Sequence, residues 1–168
     1  MNAITKVAMQ SAVFGTCIGM IDGKEPFDAG MVQLSEATYP PPHGEAYVML
    51  ARQRGPAPAY TTKELIISFS KDQKDGTYGL FPDFHTVRVL FIDSSVPAKP
   101  VVYEQFQGVA RVAYDLSTST FSGEVSVLLE NLDEDSRRTV DLKVEFEAHP
   151  VIRARRVLRR PSSPVAHC

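Results

Sequence analysis

The sequence predicts an all-β domain, an antiparallel β-sandwich or closed β-barrel of about 8–10 short strands. Three observations carry this expectation. Phe121, Gly123, Val125, Val127 and Leu129 alternate with Ser122, Glu124, Ser126, Leu128 and Glu130, and Val140, Leu142, Val144 and Phe146 alternate with Thr139, Asp141, Lys143, Glu145 and Glu147. Successive strand side chains point to opposite faces, so each run has one apolar and one wetter side. Turn signals recur along the chain, and no segment before residue 151 carries a sustained helical stripe.

The elements follow in order. Lys6 precedes Val7 to Phe14, which resembles a signal sequence only loosely, since Gln10 and Ser11 interrupt it. The residue before Cys17 is Thr16, too large for a lipoprotein cleavage box. This stretch reads as a first strand entering a hairpin, because Asp22-Gly23 follows Cys17 to Ile21 and tolerates the positive φ of a tight turn. Met31 to Leu34 is a short strand. Tyr39-Pro40-Pro41-Pro42-His43-Gly44 is a loop, since three prolines fix φ and remove donors. Glu45 to Arg52 is a strand, closed by Arg54-Gly55-Pro56-Ala57-Pro58. Lys63 to Ser70 is β-branched and aromatic, fit for a strand buried on at least one face. Lys71 to Gly76 turns, Thr86 to Ile92 is a strand, and Ser94 to Pro100 is a loop. Gln107 to Asp115 is a strand that tolerates a bulge near Gly108. Leu116 to Ser119 and Asn131 to Arg137 separate the last three strands. Residues 1–150 therefore form one domain, and 151–168 a tail.

Charge is unevenly divided. Of 18 Lys/Arg, five (Arg153, Arg155, Arg156, Arg159 and Arg160) lie in the tail, which has no acid; the remaining 13 face 20 Asp/Glu in the body. An acidic body argues against a nucleic-acid-binding face. The tail reads as a short basic helix or an irregular segment, with Pro161 and Pro164 discouraging regular structure beyond it. It suits an acidic partner, a phosphate-rich one or anionic lipid; the competing reading lays it against Asp141, Glu145 and Glu147 of its own domain.

Two cysteines exclude a disulfide scaffold or zinc ribbon, and Cys17 and Cys168 read as free thiols. No apolar run reaches the ~20 residues needed to cross a bilayer as a helix. The weak leader and few cysteines favour the cytoplasm over export. No Gly-x-Ser-x-Gly elbow is present, and His43, His85, His149 and His167 have no metal-ligand spacing. Asn131 to Asp135 offers alternate oxygen ligands, but Ser136 and Leu142 stand where a calcium loop needs Gly and Glu. Neither a metal nor another cofactor is expected.

The order of several elements carries a resemblance. Ile21-Asp22-Gly23-Lys24 precedes Phe27-Asp28-Ala29; Gly76-Thr77-Tyr78-Gly79-Leu80 follows mid-chain; Gly108-Val109-Ala110-Arg111-Val112, Tyr114-Asp115 and Phe121-Ser122-Gly123-Glu124-Val125 come later. Over about residues 15–148 the chain resembles a group of small bacterial all-β domains of lipocalin-like or sandwich type, often lipoproteins, of unknown function. The closing Gly-Phe pair common there is absent, and the Arg-rich tail looks like an addition. The resemblance implies a β fold and supplies no catalytic residues.

The favoured function is a non-catalytic binding or interaction module, taking an unknown protein or a small apolar ligand through loop residues Tyr39, His43, Tyr60, Tyr78, Phe84 and His85. Aromatics at strand ends also plug cores. The alternative is a small enzyme with an active site in a calycin-like or jelly-roll cavity, using His85, Asp83 or Glu104 as acid or base.

Overall fold

A computed structural model describes residues 14–133 and 138–150. Its ten strands are β1 (Gly15–Ile21), β2 (Glu25–Asp28), β3 (Met31–Thr38), β4 (Glu45–Arg54), β5 (Thr62–Ser70), β6 (Gly76–Gly79), β7 (Val87–Ser94), β8 (Val101–Asp115), β9 (Thr120–Glu130) and β10 (Thr139–Ala148). They form one antiparallel sheet, curled into a half-barrel, in the order β2-β1-β10-β9-β8-β7-β5-β4-β3, with β6 paired to β8. The short hairpin turns that join successive strands account for most of that order. Three pairings join strands that do not follow one another: β5 with β7, β6 with β8, and β1 with β10, the last from Gly15↔Ala148 to Ile21↔Leu142.

Local chemistry explains the elements. Asp22 and Gly23 take φ of 53° and 64°, and Lys24 N–H donates to Ile21 O at 3.1 Å. An Asp-Gly pair tolerates this positive φ, and the loop between the paired ends Ile21 and Glu25 is Asp22-Gly23-Lys24. In β10 every even residue from Val140 to Ala148 is buried and every odd one from Thr139 to Glu147 exposed. The inner face of the sheet carries the core, with Phe27, Leu65, Ile67, Phe69, Phe91, Phe121 and Leu142 almost wholly buried. Phe121 lies 4.9 Å from the Phe146 ring and 6.0 Å from that of Phe69, in edge and stacked arrangements that aromatic quadrupoles prefer. Each such side chain contributes roughly 1.5–3 kcal/mol through burial. Backbones pack closely too: a Cβ on Gly19 would stand 1.8 Å from Lys143 O, so only glycine fits there.

The structure corrects several expectations. β6, a four-residue strand with two glycines, was not foreseen, and β2, four residues containing Pro26, was implied only as the unbounded second arm of the Asp22-Gly23 hairpin. β8 begins at Val101, ahead of Gln107, and its irregularity falls between Gln105 and Gln107. Phe106 is the extra residue there, and Gly108 serves close approach instead, since its Cβ would lie 2.3 Å from Ser126 O. There is no helix among the described residues, and the short basic helix expected at the C-terminus lies outside them. The Arg-rich tail, Arg153, Arg155, Arg156, Arg159 and Arg160 included, lies outside the described residues, as do 1–13. No helix among the described residues is long and apolar enough to cross a membrane.

Candidate functional site

Alternation on β4, β5 and β7 sends Met49, Ala51, Leu65, Ile67, Phe69, Val87, Val89 and Phe91 into the core. Their even-numbered neighbours point outward and belong in water. Four do not follow that rule: Ala46, Val48, Ser68 and Ser70 are also buried. Register places them in one block, with Ala46 opposite Ser70 and Val48 opposite Ser68. The cover is the Tyr39–Gly44 loop, folded back over the outer face of the sheet. Gly44 at φ 66° makes the fold-back, and Tyr39 N–H donates to Gly44 O at 2.9 Å.

His43 fastens this loop. It is 6% exposed, with Nδ1 2.9 Å from Ser70 Oγ and Nε2 2.8 Å from Ser68 Oγ. The Ser70 hydroxyl donates its single proton to main-chain oxygen, chiefly His43 O at 2.8 Å with His85 O at 3.4 Å. It therefore accepts from Nδ1–H. Burial pushes the His43 pKa down, the Arg88 and His85 charges add to that, and a bond to the His85 backbone and the Asp72 charge oppose it. The neutral ring then carries its proton on Nδ1, and Nε2 accepts from the Ser68 hydroxyl. All three side chains are satisfied, as buried polar groups must be.

Beside this cluster lies a cavity of about 390 Å³, within the range of small-molecule pockets. Ile66 and Leu90, cross-strand partners, form its apolar floor. Tyr39, Pro40 and Pro41 stand over it from the loop, and Ser68, His43, His85 and Arg88 supply the polar wall. Arg88 is the cross-strand partner of Ser68. Its Nη1 donates to Pro82 O at 3.0 Å and Phe84 O at 3.1 Å. The same turn is held from below by buried Gln105, whose Nε2 donates to Phe81 O at 2.8 Å and whose Oε1 accepts from Val89 N–H at 2.8 Å. This double hold on residues 81–84 places His85 at the cavity.

Larger hollows exist but offer less. One of about 570 Å³ lies on the outer face of β1, β8, β9 and β10, where Arg111 is paired with Glu124 at 2.7 Å. Another of about 820 Å³ surrounds the polar turn at Leu116 to Thr118.

Of the residues singled out in the sequence, the cavity brings together Tyr39, His43 and His85. Tyr60, Tyr78 and Phe84 do not line it. Tyr60 sits in the β4–β5 loop, at the far end of β5, with the Arg54 guanidinium 4.8 Å from its ring centre. Tyr78 is packed against the core beside Phe69 and donates to Lys74 O. Phe84 is half exposed and leans edge-on against Phe81 at 5.0 Å. Glu104 and Asp83 do not reach the cavity lining either. Sequence reading missed Ser68, Ser70, Ile66, Leu90 and Arg88. The available signal was the pair of serines at even positions in the otherwise apolar stretch Leu65–Ser70. Among the described residues no group of three His, Cys, Asp or Glu side chains is placed to hold a metal ion.

No family model, curated protein or solved structure matches this chain. Its function therefore has to be argued from the cavity itself.

Proposed function

We propose that the protein is a binding module for a small, largely apolar ligand, held on the outer face of the sheet beneath the Tyr39–Gly44 loop. The observation that carries this reading is the cavity between Ile66/Leu90 and Tyr39/Pro40/Pro41, with a few convergent polar groups at one wall. Apolar walls with sparse, placed polar groups are the usual makeup of ligand pockets. The prolines favour a preformed site, because their fixed φ limits the entropy lost when a ligand is enclosed. The half-barrel serves as the rigid support; we take it to be closed where β3 meets the end of β10, supported by the Leu34–Pro150 bridge.

Titration of labelled protein with a neutral apolar probe, 1-octanol, followed by amide NMR, tests the reading. Saturable shifts confined to Tyr39–Gly44, Ile66–Ser68 and Arg88–Leu90 are expected, and Leu90→Trp, which fills the cavity, removes them. Shifts absent from these segments, or unaffected by Leu90→Trp, overturn it.

A second reading is a hydrolytic enzyme, favoured by the nucleophile-to-base contact of Ser68 with His43. Against it, Ser68 is only 3% exposed and its hydroxyl is committed to the fastening of the loop. A fluorophosphonate that labels Ser68 would support hydrolysis.

A further inference from the structure

We propose that the ligand of this cavity is an amphiphilic carboxylate, its anionic head bound at Arg88 and its hydrocarbon body lying on Ile66 and Leu90. The inference rests on the cavity being a ligand site and adds the charge of the ligand. Arg88 stands at the polar wall and is half buried. Among the described residues only Nη1 is engaged, and by neutral carbonyls, those of Pro82 and Phe84. The surrounding acids do not answer its charge. Asp72 and Asp83 lie in the adjoining turns, and Glu104 is the β8 partner of Leu90; none forms an ion pair with Arg88 among the described residues.

Of the other ionisable groups on this face, Glu64 is already paired with Arg52 at 3.4 Å. His85 is exposed at the same wall, and His43 is buried against two hydroxyls. Lys71, next to Ser70, is already matched by Glu36 at 2.9 Å. An uncompensated guanidinium beside an apolar floor attracts an anion more strongly than it would in open water, because field lines are not screened on the apolar side. Its fork geometry suits a carboxylate. The two carbonyl bonds hold that fork in place before the ligand arrives, which lowers the entropic cost of binding. The floor is short, two cross-strand apolar side chains under three loop residues, which fits a medium-length hydrocarbon body.

Octanoate, 1-octanol and octylamine differ only in the head group and serve as probes. Each is titrated into full-length protein and followed by amide NMR. Octanoate is expected to bind about tenfold tighter than octanol, and octylamine weaker than both. Arg88→Gln is expected to reduce octanoate to the affinity of octanol, while Arg88→Lys, which keeps the charge but not the fork, retains part of the preference. Circular dichroism checks that both variants keep the sheet. If octanol binds in the cavity as tightly as octanoate, the charge assignment is overturned and the cavity reading stands. If octanoate retains its preference in a folded Arg88→Gln, Arg88 is not the head-group site. If no probe shifts the cavity residues, both readings fall.

Discussion

Replacing His43 by alanine tests the loop fastening directly. The substitution removes the Nδ1–H donor to Ser70 and the Nε2 acceptor of Ser68. Ser70 keeps its bond to the residue 43 carbonyl, which is main chain and survives the change. Ser68 loses the only side-chain acceptor described for it and is left buried with an unmet hydroxyl. An orphaned buried hydroxyl costs about 1–3 kcal/mol, and the lost imidazole bond about 1 kcal/mol more. The adjoining cavity gives water a route to Ser68, which favours the lower half of that span. We expect a loss of about 2–3 kcal/mol, a fall in Tm of roughly 4–12 °C for a domain of this size. Urea unfolding followed by far-UV circular dichroism measures it. Ser68→Ala in the His43→Ala background removes the orphan, so the double variant should be less destabilised than the sum of the singles by about 1 kcal/mol. A His43→Ala loss below about 0.5 kcal/mol, or strict additivity, would refute the reasoning, since neither is compatible with a buried, mutually satisfied cluster.

Other expectations follow from the same geometry. The His43 pKa is lowered from 6.5 on folding, so below that pH the unfolded chain binds a proton that the folded one resists; this stability is complete above pH 6.5 and is lost as pH falls toward the folded value. Unfolding curves from pH 7.5 to 5 should show the decline in the parent and a smaller one in His43→Ala. Burial, and secondarily the Asp28 carboxylate, push the Cys17 thiol up to about 12; in a Cys168→Ser variant, a thiol-disulfide reagent at pH 8 should react only after denaturation. Fast labelling of the native state would place Cys17 nearer the surface. Gly19→Ala puts a methyl against Lys143 O and Val144 Cα at 1.8 and 2.7 Å, and should cost at least about 3 kcal/mol or abolish soluble expression. Gly30→Ala, where nothing lies within 4 Å, should change stability by under about 0.5 kcal/mol.

Period-two polarity was enough to read β9 and β10: β10 has one dry and one wet face along its whole length, and in β9 the odd positions other than Gly123 are buried while the even ones are only partly covered or exposed. It failed for β2 and β6, whose four residues are too few to establish a period. The start of β8 was obscured by a bulge that puts the exposed Phe106 where alternation alone predicts a polar side chain. The cavity was half legible. Tyr39 and His43 stand out as an aromatic and a histidine flanking prolines, and His85 as a histidine at a strand entry. Ser68 and Arg88 do not, since their importance arises from a loop closing over their face whose His43 lies 25 residues before Ser68 and farther still from Arg88. Such a non-local cover leaves no periodic trace in the strand it covers.

The adjacency of β1 and β10 has a consequence for synthesis. Ile21 waits for Leu142, some 120 residues downstream, before its outer edge gains that neighbour. At ~5–20 residues per second, the wait on the ribosome is roughly 6–24 s. During that time only the β1–β2 hairpin shields one side of the nascent first strand, leaving the other available to chaperones or to misassociation. A messenger truncated before codon 139 would yield a product in which β1 and β9 both keep an unsatisfied margin. Joining residue 148 to residue 15 and opening the chain at an exposed turn such as Leu116–Thr118 would turn this late, long-distance pairing into an early, local one.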